Sequence, residues 1–447
     1  MRFSKWSTYL LLAVSLTFAS SAYAQTTSWT VMIYMNAKNN LESDAIANFR
    51  EIAATGSSKD VNVVVEMGRP KTHVTTDAGG WSGVLRFRAS RNQEPVPANA
   101  IVDLRKKTAL SDMGSFAALQ DFVVWSVRNY PAKKYMLVIW NHGQGWRFQM
   151  AADSDIRLSS ALGRLGGVST QRQLATKRST PTIGGFRAAS FDDDTGHYLY
   201  NSDIEQATQE IASKIGHKID VIGFDACLMS MAETAYAFRN SAAFLVSSEE
   251  LEPGAGWDYV PIVRSLVANP AISGRDLGRL VVDSYRGRYG DYHNTTMALV
   301  DLTKIDALAN SVSQFGDALH SYILQGRVRL KKMRSTITAF GADDGLSTSV
   351  DLGTLAQDAS RDLGNPRVSS AAGNVLNSLS SAVIYDYAGK PAASTTNAKG
   401  LAIYFPASKS DFENDPFHAG YLKDNHDHPV EFVQKTSWSG FLDAFLK

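Results

Sequence analysis

Four short apolar runs constrain this chain more than any other feature: Trp29–Tyr34 (WTVMIY), Val61–Met67 (VNVVVEM), Tyr135–Trp140 (YMLVIW) and Ile219–Phe224 (IDVIGF). Each is rich in β-formers and almost without a polar face, the pattern of a strand covered on both sides. Helical spacing fills the gaps between them. Leu41, Ala45, Phe49, Ile52 and Ala53 recur at helical intervals before Gly56, and Phe116, Leu119, Val123 and Val127 do so before Pro131. Ser202 and Glu205 stand at capping-box spacing ahead of Ala207, Ile211 and Ile215. A strand at Val84–Arg88, a helix over Met229–Arg239 and a strand over Phe244–Ser247 extend the series. Alternating strands and helices of this kind predict an α/β chain with a mainly parallel sheet sandwiched between helices.

The rhythm breaks twice. From Arg147 to Ser190 the chain carries Gly163, Gly166, Gly167, Gly184 and Gly185 with Arg157, Arg164, Arg172, Lys177, Arg178 and Arg187; so long a gap inside a compact domain reads as a functional loop. Beyond Asp301 the pattern turns helical, at Ile305–Leu324 and Ser370–Tyr385, until a last strand at Leu401–Phe405. We therefore divide the 447 residues into a signal segment (1–24), an α/β domain (25–300) with a loop at 147–190, and a mostly helical C-terminal subdomain (301–447). Ala392–Ala398 reads as a surface loop.

Arg2 and Lys5, the apolar run Tyr9–Phe18 and the small residues Ala22-Tyr23-Ala24 form a secretory signal with an A-x-A cleavage site. The run is shorter than the ~20 residues that a spanning helix needs. A soluble, secreted or periplasmic product is expected. Lys plus Arg (45) nearly cancels Asp plus Glu (44), so no global field favours nucleic acid.

Cys227 is the only cysteine, so an internal disulfide is excluded. An unpaired thiol in an exported chain is either a buried bystander or a reactive group. Two apolar strands end in polar turns, one at Asn141-His142-Gly143 and the other at Asp225-Ala226-Cys227. In an open parallel sheet the ligand crevice lies beyond the carboxyl ends of the strands, which brings His142 and Cys227 to one edge. An imidazole can take the thiol proton, and the N-terminus of a helix starting near Met229 can stabilise the thiolate. The N–H groups of Gly143 and Cys227 can bind the oxyanion of a tetrahedral intermediate. Acyl transfer is the chemistry indicated. Taken singly, a cysteine after a strand is more often core packing.

These residues also carry a resemblance. Trp29–Asn36 with Asn39-Asn40-Leu41, Trp140-Asn-His-Gly143, Phe224-Asp-Ala-Cys-Leu-Met-Ser230, Ser247-Ser-Glu-Glu250 and Pro253-Gly-x-Gly-Trp257 resemble the clostripain family of cysteine peptidases, with a weaker echo at Gly400–Pro406. The resemblance implies a caspase-like α/β/α sandwich, His142 and Cys227 as catalytic residues, and Asp225 as the acid that receives a substrate Arg or Lys. It implies peptide or protein substrates with basic residues, and a precursor cut between His142 and Cys227, where the 147–190 loop offers six basic residues beyond Arg147. Without the resemblance, Asp225 reads more readily as a turn or cap residue. Glu249 and Glu250 read as solvated charges or as walls of the substrate cleft.

No organic cofactor is required. Some relatives use calcium, and Asp192, Asp193, Asp194 and Asp203 crowd around Gly196, but the spacing departs from an EF-hand: Gly196 stands in a ligand position and the twelfth position lacks Glu. His418, His426, Asp427 and His428 read as a surface turn beside Pro429. No H-E-x-x-H, G-x-S-x-G or P-loop pattern occurs. Two rivals remain: an exported binding protein keeping the fold around a dead site, and a Cys–His transpeptidase that passes the acyl group to an amine.

Overall fold

The computed structural model describes residues 26–72, 74–146, 190–290, 294–337, 339–341, 348–389, 398–415, 417–425 and 429–447. The signal segment and the loop through residue 189 lie outside them, as do His426, Asp427 and His428. In chain order the main elements begin β1 (Thr27–Asn36), α1 (Glu42–Ala53), β2 (Val61–Arg69), β3 (Gly83–Arg88), β4 (Val102–Asp103), α2 (Phe116–Asn129) and β5 (Ala132–Trp140). They continue α3 (Asn201–Ile215), β6 (Ile219–Asp225), α4 (Ala232–Phe238), β7 (Ala242–Ser247), α5 (Tyr259–Ala268), α6 (Gly274–Tyr289) and β8 (Thr296–Asp301). The C-terminal region adds α7 (Ile305–Thr336), β9 (Ala339–Phe340), β10 (Ser349–Asp351), α8 (Leu352–Asp362), α9 (Pro366–Ala382), β11 (Val383–Ala388), β12 (Ala402–Tyr404) and α10 (Trp438–Leu446), besides shorter helical turns.

A nine-stranded sheet runs β11-β8-β7-β6-β5-β1-β2-β3-β4. Its centre, β2-β1-β5-β6-β7, is parallel throughout, and the flanking strands are antiparallel. The expected mainly parallel sheet is therefore present. Alternation explains the unbroken apolar runs. Along β5, Tyr135, Leu137 and Ile139 enter one buried layer, while Met136, Val138 and Trp140 enter the other. Both faces are covered, so neither set can be polar.

Along β6, Ile222 and Phe224 face the first layer and Val221 the second. The same alternation sends Asp225 toward the second layer, under α5. Gly223 lies on that side because the Trp257 indole occupies it: a Cβ there would sit 2.6 Å from the ring. From residue 301 the chain is helical, yet it returns to the central sheet through β11, which pairs antiparallel with β8.

Several boundaries differ from the expectations; the helix expected at Ser370–Tyr385 runs from Pro366 to Ala382, and β11 takes residues 383–385. Helix α3 opens at Asn201, and Asp203 rather than Glu205 accepts the N–H of Tyr200 ahead of the helix. Helix α4 starts at Ala232, not Met229, because Leu228 takes a left-handed φ of 61° and residues 229–231 stay extended against Ser248 and β12. Helix α7 passes beyond Leu324, kinking at Gly326, because Leu330 and Met333 keep a buried stripe going past the kink.

Candidate active site

The parallel register sets the site. Trp140 pairs with Asp225, and the Asn141 N–H donates to the Asp225 carbonyl at 3.2 Å, so the turns after β5 and β6 leave the same edge side by side. Gly143 packs directly on the cysteine turn: a Cβ there would lie 2.3 Å from the Cys227 carbonyl oxygen and 3.0 Å from the Ala226 and Met229 side chains. Only glycine permits that approach. His142 and Cys227 are both half-buried rather than sealed in the core. A buried bystander would be enclosed; this residue is partly open to solvent.

The thiolate stabiliser expected from the sequence is replaced. Helix α4 begins five positions past Cys227, and a helix terminus acts only within its first turn. Instead the Glu252 N–H donates to Cys227 Sγ at 3.2 Å. A donated hydrogen bond of this kind favours the anionic form of its acceptor. Residues 228–230 run against the residues that follow β7, with the Leu228 N–H bonded to the Glu250 carbonyl at 3.2 Å and that of Ser230 to the Ser248 carbonyl at 2.8 Å.

Asp225 is buried and well held. The Trp257 N–H lies 3.2 Å from each of its carboxyl oxygens, and the Tyr259 hydroxyl donates at 2.7 Å. Burial pushes its carboxyl up to about 7, against the pull of these donors. The neighbouring carboxyl of Glu252, which sequence reasoning passed over, is pushed well above the usual range by burial and by Asp225. Neither Glu252 oxygen has an aligned donor, so the contact between the two acids becomes a hydrogen bond only when Glu252 carries a proton. Among the described residues no Lys or Arg pairs with either acid; Arg288 acts from farther off, held by Glu51 and the Trp257 carbonyl.

Glu249 and Glu250 are not solvated charges. Both are buried: Glu249 accepts the Gly400 N–H at 2.9 Å, and Glu250 accepts those of Leu251 and Gly341 at 2.8 Å. They pin the C-terminal region to the end of β7. Three of the four acids considered for calcium have partners of their own. Lys38 Nζ lies 3.0 Å from both Asp192 and Asp194, and Asp203 takes the Tyr200 N–H. The ammonium fills the space between the two carboxylates and offsets one of their charges, and among the described residues no acid or histidine cluster suits a metal. His418 accompanies Phe412, its Nδ1 2.8 Å from the Asp415 carbonyl.

The model of the clostripain family (peptidase family C11) matches residues 33–157 and 180–445. The chain belongs to the clostripain family. Clostripain of Hathewaya histolytica is 25% identical over 332 residues, which cover 63% of this chain and 55% of the relative. The family member described here thus spans about half the length of that curated relative. Among solved structures, an inactive zymogen C11 protease from Parabacteroides distasonis shares the fold with a TM-score of 0.59 at 18% identity, over 93% of this chain and 98% of the other. A secreted C11 cysteine protease from Bacteroides thetaiotaomicron, in complex with an irreversible peptide inhibitor, does so with a TM-score of 0.54 at 17% identity, over 94% and 99%. Among the described residues no helix of this clostripain-family chain is long and apolar enough to cross a membrane.

Proposed function

We propose that this clostripain-family chain is an exported cysteine endopeptidase that cleaves after Arg or Lys. The observation that carries the reading is the contact between the turns after β5 and β6, which puts a half-exposed Cys227 beside the His142 turn at the carboxyl edge of a parallel sheet. In the mechanism Cys227 attacks the scissile carbonyl as thiolate, and the N–H groups of Gly143 and Cys227 receive the oxyanion. The His142 imidazolium gives its proton to the departing amine, leaving a thioester. Water then adds to the thioester, His142 taking its proton, and the carboxylic acid leaves as the sulfur is released.

The basic preference rests on charge. Asp225 and Glu252 form a buried acid pair with no cationic partner among the described residues, and the backbone N–H of Glu252 lies on the Cys227 sulfur. A guanidinium or ammonium entering there replaces the shared proton as the neutralising charge. Turnover of an Arg-terminated fluorogenic peptide tests the whole reading. Under reducing conditions, and after trial proteolytic activation, we expect cleavage that falls by at least about 10³-fold in Cys227→Ala and in His142→Ala. Equal turnover in these variants would overturn it, and so would none in the native chain. Added amine separates hydrolysis from transpeptidation, by the product formed.

Self-processing belongs to the same proposal. Basic residues from Arg157 to Arg187 lie between His142 and Cys227 in the chain, and the Parabacteroides distasonis relative was solved as an inactive zymogen. We expect fragments cut within residues 147–190 in the native chain and an intact Cys227→Ala chain. The same fragments in the pure variant would rule out self-cleavage.

A further inference from the structure

Strand β1 lies beside β5, parallel to it, with Met35 in register with Trp140, and β5 lies beside β6 with Trp140 opposite Asp225. Asn40, His142 and Cys227 therefore leave one sheet edge from three adjacent strands, in that order across the sheet. The Oδ1 of Asn40 lies 2.8 Å from Nε2 of His142. A carbonyl oxygen can only accept, so this contact holds the ring proton on Nε2 and leaves the lone pair on Nδ1. From this geometry we infer that Asn40 is a positioning residue, which fixes the tautomer and orientation of His142 so that Nδ1 exchanges the proton with the Cys227 sulfur.

The turn that carries Asn40 is itself tied to the histidine turn. Asn39 accepts the Leu41 N–H at 2.9 Å and donates to Asn141 Oδ1 at 3.2 Å and to the Phe191 carbonyl at 3.0 Å. That same Asn141 oxygen accepts the His142 N–H, while the Asn141 amide donates to the Asn36 carbonyl. One asparagine thus bridges the end of β1, the Asn39 turn and the backbone of His142. The Asn40 amide stays neutral and cannot take the proton. When Nδ1 is protonated, the Nε2–H···O contact becomes charge-assisted and stronger, which favours the imidazolium facing a thiolate.

The inference deepens the peptidase reading and rests on it. Asn40→Ala, at an exposed position, is expected to lower kcat by about 10- to 100-fold, part of what a positioned base contributes, with KM within about twofold and an unchanged melting curve. Asn40→Asp keeps the acceptor and adds charge. The alkaline limb of the kcat/KM profile should move to higher pH in that variant and to lower pH in Asn40→Ala. A uniform loss with both limbs in place, or no loss, would overturn the inference while leaving the peptidase reading intact if His142→Ala is inactive. A readout independent of turnover is 15N NMR of histidine-labelled Cys227→Ala protein. It should show His142 protonated on Nε2, and a mixture of tautomers once Asn40→Ala is added. A ring protonated on Nδ1 with Asn40 present would sink the inference by itself.

Discussion

Asp225 shows how one carboxyl group takes two roles. It terminates β6 as an internal acceptor for the Trp257 N–H and the Tyr259 hydroxyl, and with Glu252 it forms a buried acid pair. Its folded value of about 7 lies above the ordinary 3.8 because burial disfavours the charge. The folded chain therefore holds a proton that the unfolded chain releases. The stability this contributes is complete below about pH 4 and is lost as pH rises through about 7. A basic ligand has the opposite sign, since it needs the ionised form. Calorimetric titration of Cys227→Ala protein with an Arg-terminated peptide should show affinity rising by up to about tenfold per pH unit toward pH 7 and levelling above it. Asp225→Asn should remove the slope; an unchanged slope would place the basic side chain elsewhere.

At the scale of elements, the site depends on how closely two turns approach. Gly143 has no room for a Cβ against the Cys227 carbonyl, so Gly143→Ala must push the histidine turn away from the cysteine turn. A displacement near 1 Å is enough to cost about 10²-fold in rate. We expect that loss in kcat with normal circular dichroism, and wild-type kcat would show that the turns move apart without harm. The late start of α4 belongs to the same scale. Met229, Met231 and Ala232 sit at intervals that suit a helix, but the pairing of 228–231 with Ser248, Glu250 and Ala402 takes those backbone groups first.

At the scale of the molecule, a second acid pair joins the C-terminal region to the site. Glu249 follows β7, and its carboxyl meets that of Asp351, which caps α8 and accepts the Lys399 N–H at 2.7 Å. Burial raises Glu249 well above the usual range, with Asp351 adding to the push. One Glu249 oxygen has no donor, so a proton on Glu249 completes the joint. Glutamine mimics that protonated acid. Chemical denaturation should find Glu249→Gln within about 0.5 kcal/mol of the native chain, and Glu249→Ala about 1–3 kcal/mol less stable because the Gly400 N–H loses its acceptor. Equal losses in both variants would mean that Glu249 is ionised in the folded chain.

The doubly covered parallel sheet was legible in the apolar runs because burial on both faces admits only apolar side chains there, and the cysteine and histidine turns were legible because polar residues end such runs at a sheet edge. Asn40 was visible only as a residue in a motif, and Glu252 and the buried state of Glu249 and Glu250 were not legible at all. Their roles arise between segments far apart in the chain, and a charged letter carries no mark of whether water or another carboxyl will face it. Strand pairing and its register brought the turns that carry Asn40, His142 and Cys227 to the ends of neighbouring strands, and that proximity in space, which no local pattern encodes, only the tertiary structure decided.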